Sequence, residues 1–435
     1  MTASPAIGWT PTPALVRSVL GALVLAAAAV LARRPDVLVI ATPLVVAAVW
    51  AVVTRPTVLP EVSQSVGHPT LHEGEATTWR TAVADPHRQV EDLAVVFEPS
   101  AWVEHIGSVD TRVVALHDDS DQDLAIAVRP TRWGRHRIKP ALVVASSAWN
   151  GYRWVHRRTS DPIELLALPR PYLFDAANEV THARGLVGNS RSPRPGAGSE
   201  FEGVRTFAPG DRLRRIHWPE SLRTGTLHVT TSWADEDQSV LLLVDAFDEI
   251  GHSGGVDGFA SSLDIATRAA AAMAEFHTKQ GDRVALVTVG GLGARRLAPR
   301  SGYPHLRRLL QVLAEIEPVN APYDDGRMPG HVEAGARVVA FSPLLSPATL
   351  RRLTTLADRG FSVVAIDCFP PDITISDPGD PYAQIAWRIE LLKRERHLRA
   401  IRATGVPVVA WNGRGSLDLV LGGPRRAHSR RVRFP

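Results

Sequence analysis

Val240-Leu-Leu-Leu-Val244-Asp245 is a continuous apolar run that ends on a carboxylate, and Leu263 to Lys279 follows it with apolar residues at helical spacing. A strand covered on one face alternates apolar with polar residues, whereas a strand covered on both faces is apolar throughout. The pattern repeats downstream with strand Arg283-Val-Ala-Leu-Val-Thr-Val289, helix Tyr303 to Ile316, strand Arg337-Val-Val-Ala-Phe341 and helix Pro347 to Arg359. Strand Phe361-Ser-Val-Val-Ala-Ile366, helix Pro381 to Ala403 and strand Val406-Pro-Val-Val-Ala-Trp411 close the series. Alternation of this length predicts an α/β domain over residues 239–422 with a mostly parallel sheet. Open sheets of that kind hold ligands at the carboxyl ends of their strands, so the rim around Asp245 is where a site is sought.

Upstream, residues 56–170 read differently. Ala76-Thr-Thr-Trp-Arg-Thr-Ala-Val83, Leu93-Ala-Val-Val-Phe97, Thr111-Arg-Val-Val-Ala-Leu116 and Leu124-Ala-Ile-Ala-Val128 are short alternating or β-branched runs. Asp85-Pro86, Glu98-Pro99 and Arg129-Pro130 separate them, and Ile138-Lys-Pro-Ala-Leu-Val-Val144 is a further strand candidate. The expectation is an all-β, sandwich-like domain. Residues 171–238 hold a linker and then a distinctive segment of their own; from Gly185 to Glu200 the chain is rich in Gly, Pro, Ser and Arg and reads as mobile.

The first 55 residues are a third kind of sequence. Ala14 to Ala32 and Val37 to Val53 are apolar spans close to the ~20 residues that cross a bilayer as helix. Arg33-Arg34-Pro35-Asp36 between them is a polar turn with a helix breaker. Two transmembrane helices in a tight hairpin are predicted, since such a hairpin satisfies its own backbone in lipid. A cleaved signal peptide fits poorly, because the first twelve residues lack Lys and Arg and the second span would be left over. Arg33 and Arg34 favour a cytoplasmic turn and an external soluble part, while Arg17, Arg55 and the basic C-terminus favour the reverse. Orientation stays open on charge alone.

Bulk composition is that of folded protein: of 435 residues 45% are hydrophobic and 22% charged, with a net charge of +4. Residues 423–435 are an Arg-rich tail with Arg425, Arg426, Arg430, Arg431 and Arg433. Such a tail suits anionic lipid, nucleic acid or water alone; a solvated tail is the plain reading, and no nucleic-acid partner is expected. The single cysteine, Cys368, excludes an intramolecular disulfide, and its apolar surroundings in sequence point to an inert buried thiol.

Between connection and sheet lies Glu200-Phe201-Glu-Gly-Val-Arg205-Thr-Phe-Ala-Pro209-Gly210-Asp211, then Arg212-Leu-Arg214-Arg-Ile216-His-Trp218-Pro-Glu-Ser221-Leu-Arg223. Pro-Gly-Asp is turn chemistry. The basic residues Arg205, Arg214, Arg215 and Arg223 have Glu200, Glu202, Asp211 and Glu220 as candidate partners, and Trp218 is expected as a large buried anchor. The other reading is a docking patch, since Arg and Trp are enriched at binding hot spots. This order and spacing closely resembles the signature of the domain of unknown function 58 family, with His217 where the family usually has Asp and Leu222 where it usually has Ala.

The resemblance implies two N-terminal membrane helices, a β-rich insert and a von Willebrand A-like α/β domain after the signature. It also implies a partner, a MoxR-type AAA+ ATPase, and with it a soluble part facing the cytoplasm. A von Willebrand A fold often holds a divalent cation through Asp-x-Ser-x-Ser at the end of its first strand; here the stretch is Asp245-Ala-Phe247-Asp-Glu249, so only the first Asp survives. No metal, cofactor or catalytic set is therefore expected, and no phosphate-binding loop or His-Glu-x-x-His pair is present in the sequence. The expected function is a membrane-anchored, non-enzymatic adaptor in assembly or maturation of envelope complexes. Two rivals are an external structural or adhesion protein, and a metal-dependent ligand-binding protein using the Asp245 rim.

Overall fold

The computed structural model describes residues 8–98, 100–107, 111–115, 121–156, 162–171, 195–233, 239–290, 295–318, 330–371, 373 and 380–411, with backbone alone at 111–115, 121–122, 195–202 and 232–233. The Arg-rich tail at 423–435 and the connection at 172–194 lie outside the described residues. The chain divides into two compact units, Met1–Leu168 and Pro169–Pro435.

The first unit opens with α1 (Pro13–Leu31) and α2 (Asp36–Val53), packed as a hairpin. Thr12 caps α1: its hydroxyl oxygen accepts the Leu15 N–H at 3.3 Å and its proton goes to the Asn150 carbonyl at 2.6 Å. Pro13 sits in the first turn, where a missing N–H costs nothing. The chain reverses through Arg33, held at φ 53°. Both helices are long and apolar enough to cross a membrane, each with mean hydropathy 2.3, and little of either is buried (17% and 11%). Leu23, Val24, Val30, Leu31, Val39 and Ile40 are exposed, a contiguous apolar surface unusual for a protein surrounded by water.

The strands of this unit are β1 (Thr10–Pro11), β2 (Glu61–Val66), β3 (Thr70–His72), β4 (Thr77–Ala84), β5 (Asp92–Val96) and β6 (Val103–Ile106). They continue as β7 (Thr111–Ala115), β8 (Asp121–Pro130), β9 (Gly134–Ile138), β10 (Leu142–Ser146), β11 (Tyr152–His156) and β12 (Ile163–Leu168). Three sheets result, with orders β1-β11-β10-β5-β7, β2-β4-β8-β6 and β3-β12-β9. Period-two sequence produces the burial directly: along β4, Thr77, Trp79, Thr81 and Val83 turn inward. Trp79 and Val83 meet Leu93 and Val95 of β5 and Val143 and Ala145 of β10 in one core. Trp79 and Phe97 pack edge to face at its centre, 4.8 Å between ring centroids. The run Ile138–Val144, which reads as one strand, is two. Pro140 interrupts the ladder, so that Ile138 pairs with Ile163 whereas Leu142 pairs with Val96 in another sheet.

The open end of the hairpin is seated on this β-rich part. Thr10 and Pro11 pair antiparallel with Arg153 and Tyr152, and Leu15, Ala51 and Tyr152 form a small buried cluster. Trp50 stacks obliquely on Trp149 at 5.8 Å, and the Arg55 guanidinium lies 5.8 Å from the Tyr152 ring. Gly151 is needed there, because a Cβ would stand 2.8 Å from the Cβ of Ala51.

The second unit begins with β13 (Pro195–Thr206) and β14 (His228–Trp233), an antiparallel ribbon enclosing α3 (Trp218–Thr224). Residues 195–200, read from composition as mobile connection, are therefore strand. The reason is a partner, β14, that local composition does not reveal. Next come β15 (Ser239–Ala246), α4 (Ser262–Lys279), β16 (Arg283–Gly290), β17 (Arg296–Arg300) and α5 (Tyr303–Ala314). The series ends with β18 (Arg337–Ser342), α6 (Pro347–Asp358), β19 (Ser362–Asp367), α7 (Pro381–Ala403) and β20 (Val408–Ala410). One six-stranded sheet of order β17-β16-β15-β18-β19-β20 is formed, parallel except at β17. This is the mostly parallel α/β sheet the alternation predicts. Central β15 is buried along almost its whole length, as its unbroken apolar run requires.

Candidate functional site

Two places in the second unit carry distinctive side-chain chemistry. The first is the segment after β13. Asp211 closes the Ala208-Pro-Gly-Asp turn: its N–H donates to the Ala208 carbonyl at 3.1 Å while its Oδ2 accepts the Ala208 N–H at 2.8 Å. Gly210 supplies the φ of +104° that lets the chain double back. Arg205, at the end of β13, grips the same carboxylate with two N–H groups, at 2.8 and 2.7 Å. This fork-to-fork pairing fixes orientation as well as distance. Hydrogen bonds from Arg205, then from the Ala208 N–H, hold the Asp211 carboxyl below the usual carboxylate range.

The folded pKa of Asp211 being depressed, its contribution to stability is complete above the unfolded value of about 3.9 and is lost as pH falls through the native one. The protection of the Ala208 amide against hydrogen exchange, taken relative to the unstructured rate at the same pH, is therefore expected to fall on acidification in the wild type. In Asp211→Ala that protection should be low at every pH, and protection equal in the two proteins at pH 7 would refute the turn's dependence on this carboxylate.

Ile216 then bridges to Val229, and His217 caps α3, its Nδ1 accepting the Glu220 N–H at 3.3 Å. A cap acceptor is what an aspartate would supply at this position, so His217 keeps that role with a ring nitrogen. Ser221 is buried; its hydroxyl donates to the His217 carbonyl and accepts the His228 N–H, each at 2.8 Å. Arg223 pairs with Glu220 one turn back, at 2.5 and 3.1 Å, and α3 ends at Gly225 with φ +71°. The polar residues thus brace a rigid knuckle.

Trp218 is not the buried anchor its size suggests. It is 59% exposed, with Leu222 one turn further on at 79% and Leu213 at 70%. Positions 218 and 222 share a helix face, and α3 is packed through Ser221 instead. Arg212, Arg214 and Arg223 are exposed alongside. The backbones of Glu200 and Phe201 lie in β13, and their side chains fall outside the described residues.

The second place is the rim of the sheet. Asp245, at the carboxyl end of β15, is almost fully buried. Its Oδ2 accepts the hydroxyl protons of Ser342 at 2.6 Å and Thr349 at 2.8 Å, and its Oδ1 accepts the Phe247 N–H at 3.2 Å. Burial pushes the Asp245 carboxyl upward, against the pull of these hydrogen bonds. Glu249 turns away to accept the Ser261 hydroxyl at 2.6 Å. Both oxygens of Asp245 are engaged, and the charge of nearby Asp248 adds to the upward push on its carboxyl; among the described residues no three His, Cys, Asp or Glu side chains converge. A divalent cation needs several uncommitted oxygens, so these residues do not fit one. Ser342 and Thr349 went unassigned in sequence because they stand 97 and 104 residues from Asp245.

Beside this knot opens a cleft of about 530 Å³ lined by Phe247, Ile250, Arg351, Phe369, Trp387 and Leu391, among others. Phe369 stacks on Trp387 at 6.1 Å, and the Arg394 guanidinium lies 4.2 Å from the Phe369 ring centroid while pairing with Asp367. Cys368 is buried next to them, its thiol pushed up by burial, which leaves little thiolate for chemistry.

Comparison with known proteins gives one family match. Residues 203–402 match the family described as "Protein of unknown function DUF58". The chain carries a DUF58 region. That region runs from β13 into α7 and so contains the knuckle, the Asp245 knot and the cleft together. An uncharacterised protein of Mycobacterium tuberculosis strain H37Rv is 29% identical to this chain over 201 residues, 44% of this chain and 62% of the relative. An uncharacterised protein of Mycobacterium bovis gives the same figures. The chain thus covers less than two thirds of the length of these relatives.

Proposed function

We propose that this DUF58 protein is a membrane-anchored interaction module without catalytic activity, and that the α3 knuckle is its docking surface. A MoxR-type AAA+ ATPase is the proposed partner, and assembly or maturation of envelope-associated complexes the proposed role. The observation that carries this reading is the exposure of Trp218 and Leu222 on a helix braced from behind by Ser221, His217 and the Glu220–Arg223 pair. A tryptophan held outward in an arginine-rich setting is the composition of a binding hot spot rather than of a core. The hairpin α1–α2, apolar and outward-facing, supports the anchoring half of the proposal. An ATPase partner places the soluble part in the cytoplasm.

The test is capture of the purified ATPase by the detergent-solubilised full chain. Trp218→Ala is expected to weaken binding by roughly 30-fold, as truncation of a central hot-spot residue does. Circular dichroism and melting temperature should be unchanged, because the side chain is mostly outside. Unchanged affinity in Trp218→Ala and Leu222→Ser alike would remove the knuckle from the interface.

An external structural role is the second reading, and the observation that favours it is the Arg33-Arg34 pair at the hairpin turn. A C-terminal reporter active only outside the cell would select that reading over the ATPase.

A further inference from the structure

The last helix has two faces of different character. Toward its own unit, α7 sets Leu398 and Ile401, both buried, with Trp387 lining the cleft and Arg394 bound to Asp367. On the opposite side Tyr382 is 80% exposed, Ile385 58%, Ile389 47% and Leu392 56%. Their spacing of three, four and three residues puts them on one stripe of the helix. Among the described residues nothing covers it. Around and beyond the stripe stand Arg388, Lys393, Arg396, Arg399 and Arg402, all exposed, against Glu390 and Glu395. A chain whose total net charge is only +4 concentrates much of its positive excess on this helix.

We infer that this outer face of α7 lies on an anionic bilayer surface, its apolar stripe in the headgroup–acyl boundary and its basic residues against the lipid phosphates. The inference goes beyond the docking role assigned to α3 and rests on the anchoring reading of α1–α2. Three observations favour lipid over protein. An exposed apolar stripe flanked by Arg and Lys is the composition that partitions into an interface. The stripe is also small: from Tyr382 to Leu392 it is about 15 Å long and one helix, ~10 Å, wide. That is on the order of 150 Å², far below the ~800 Å² per partner that a stable dimer with a second copy of this chain would bury. Lastly, a surface too weak to hold a bilayer alone suffices when the chain is already tethered, because the tether makes the contact intramolecular.

The test uses the full chain reconstituted in nanodiscs containing brominated lipid, with an environment-sensitive thiol probe at Ile389→Cys and, in a separate sample, at Leu23→Cys in α1. Native Cys368 is fully buried and does not compete for the label. The Ile389 probe should be quenched in discs containing phosphatidylglycerol and unquenched in phosphatidylcholine alone. Arg396→Gln with Arg399→Gln should lower the docked-to-undocked ratio about 30-fold, roughly five-fold for each cation removed from an anionic surface. A probe unquenched in both lipids overturns the inference. So does one shielded by a second labelled chain, which energy transfer between copies would reveal. The Leu23 probe is read independently. If it is unquenched the anchor fails, while quenching at Ile389 would still establish that α7 meets lipid.

Discussion

Asp245→Ala is expected to destabilise the second unit by roughly 3 kcal/mol, whereas Asp245→Asn should stay within about 1 kcal/mol of the wild type. Alanine leaves the Ser342 and Thr349 hydroxyls and the Phe247 N–H without their acceptor, and each buried donor so orphaned costs about 1–3 kcal/mol. Relief from burying a carboxylate offsets part of that loss. Asparagine keeps an oxygen for the N–H and adds an NH₂ that the two rotatable hydroxyls can accept.

The pH dependence has a definite sign. Because burial raises the native pKa of Asp245, its contribution is intact below the unfolded value of about 3.9 and declines as pH climbs through the native one. Asp245→Asn should remove that decline, so its stability relative to wild type improves toward neutral pH. A metal-binding rim predicts different behaviour: wild-type melting would rise with added Mg²⁺ or Mn²⁺, and Asp245→Asn would abolish the rise. Denaturant titrations of the three proteins, with and without the cations, decide between them.

Gly290→Ala is the second large effect, expected at about 3 kcal/mol. Gly290 ends β16 with φ +77°, paired across the ladder with Ala246. A Cβ there would lie 2.6 Å from the Phe247 nitrogen and 2.8 Å from its Cα. Those are backbone atoms, which cannot swing aside as a side chain would. Relief requires moving Phe247, and with it the N–H that Asp245 accepts. The two substitutions therefore act on one structure, and their combined cost should fall short of additivity. Full additivity in a double-mutant cycle would show that Gly290 and Asp245 are independent.

How far the sequence carries is clearest at particular elements. The apolar run at Val240–Val244 and the helical spacing at Pro381–Ala403 give the sheet and α7 to within a residue or two, because burial on both faces and 3.6-residue periodicity are local properties. Edge strand β17, Arg296-Leu-Ala-Pro-Arg300, went unread: it is charged and carries a proline, as edge strands do, and so looks like loop. The Asp245 knot was half legible. Its carboxylate stands in sequence at a strand end, but the hydroxyls that claim it, on the neighbouring strand β18 and on α6, lie 97 and 104 residues further along the chain. Trp218 misled for the opposite reason. Size and apolarity suggest a core, and only the placement of α3, packed through small Ser221, turns the indole outward.

Alkaline carbonate extraction of membranes from cells expressing the full chain tests most directly whether α1–α2 anchors a docking module in a membrane. The wild-type chain should remain in the pellet. Leu23→Arg with Ile40→Arg, two charges at about 2.5–3.5 kcal/mol each against insertion, should move to the supernatant with the second unit still folded. Release of the wild-type chain by carbonate would contradict the claim.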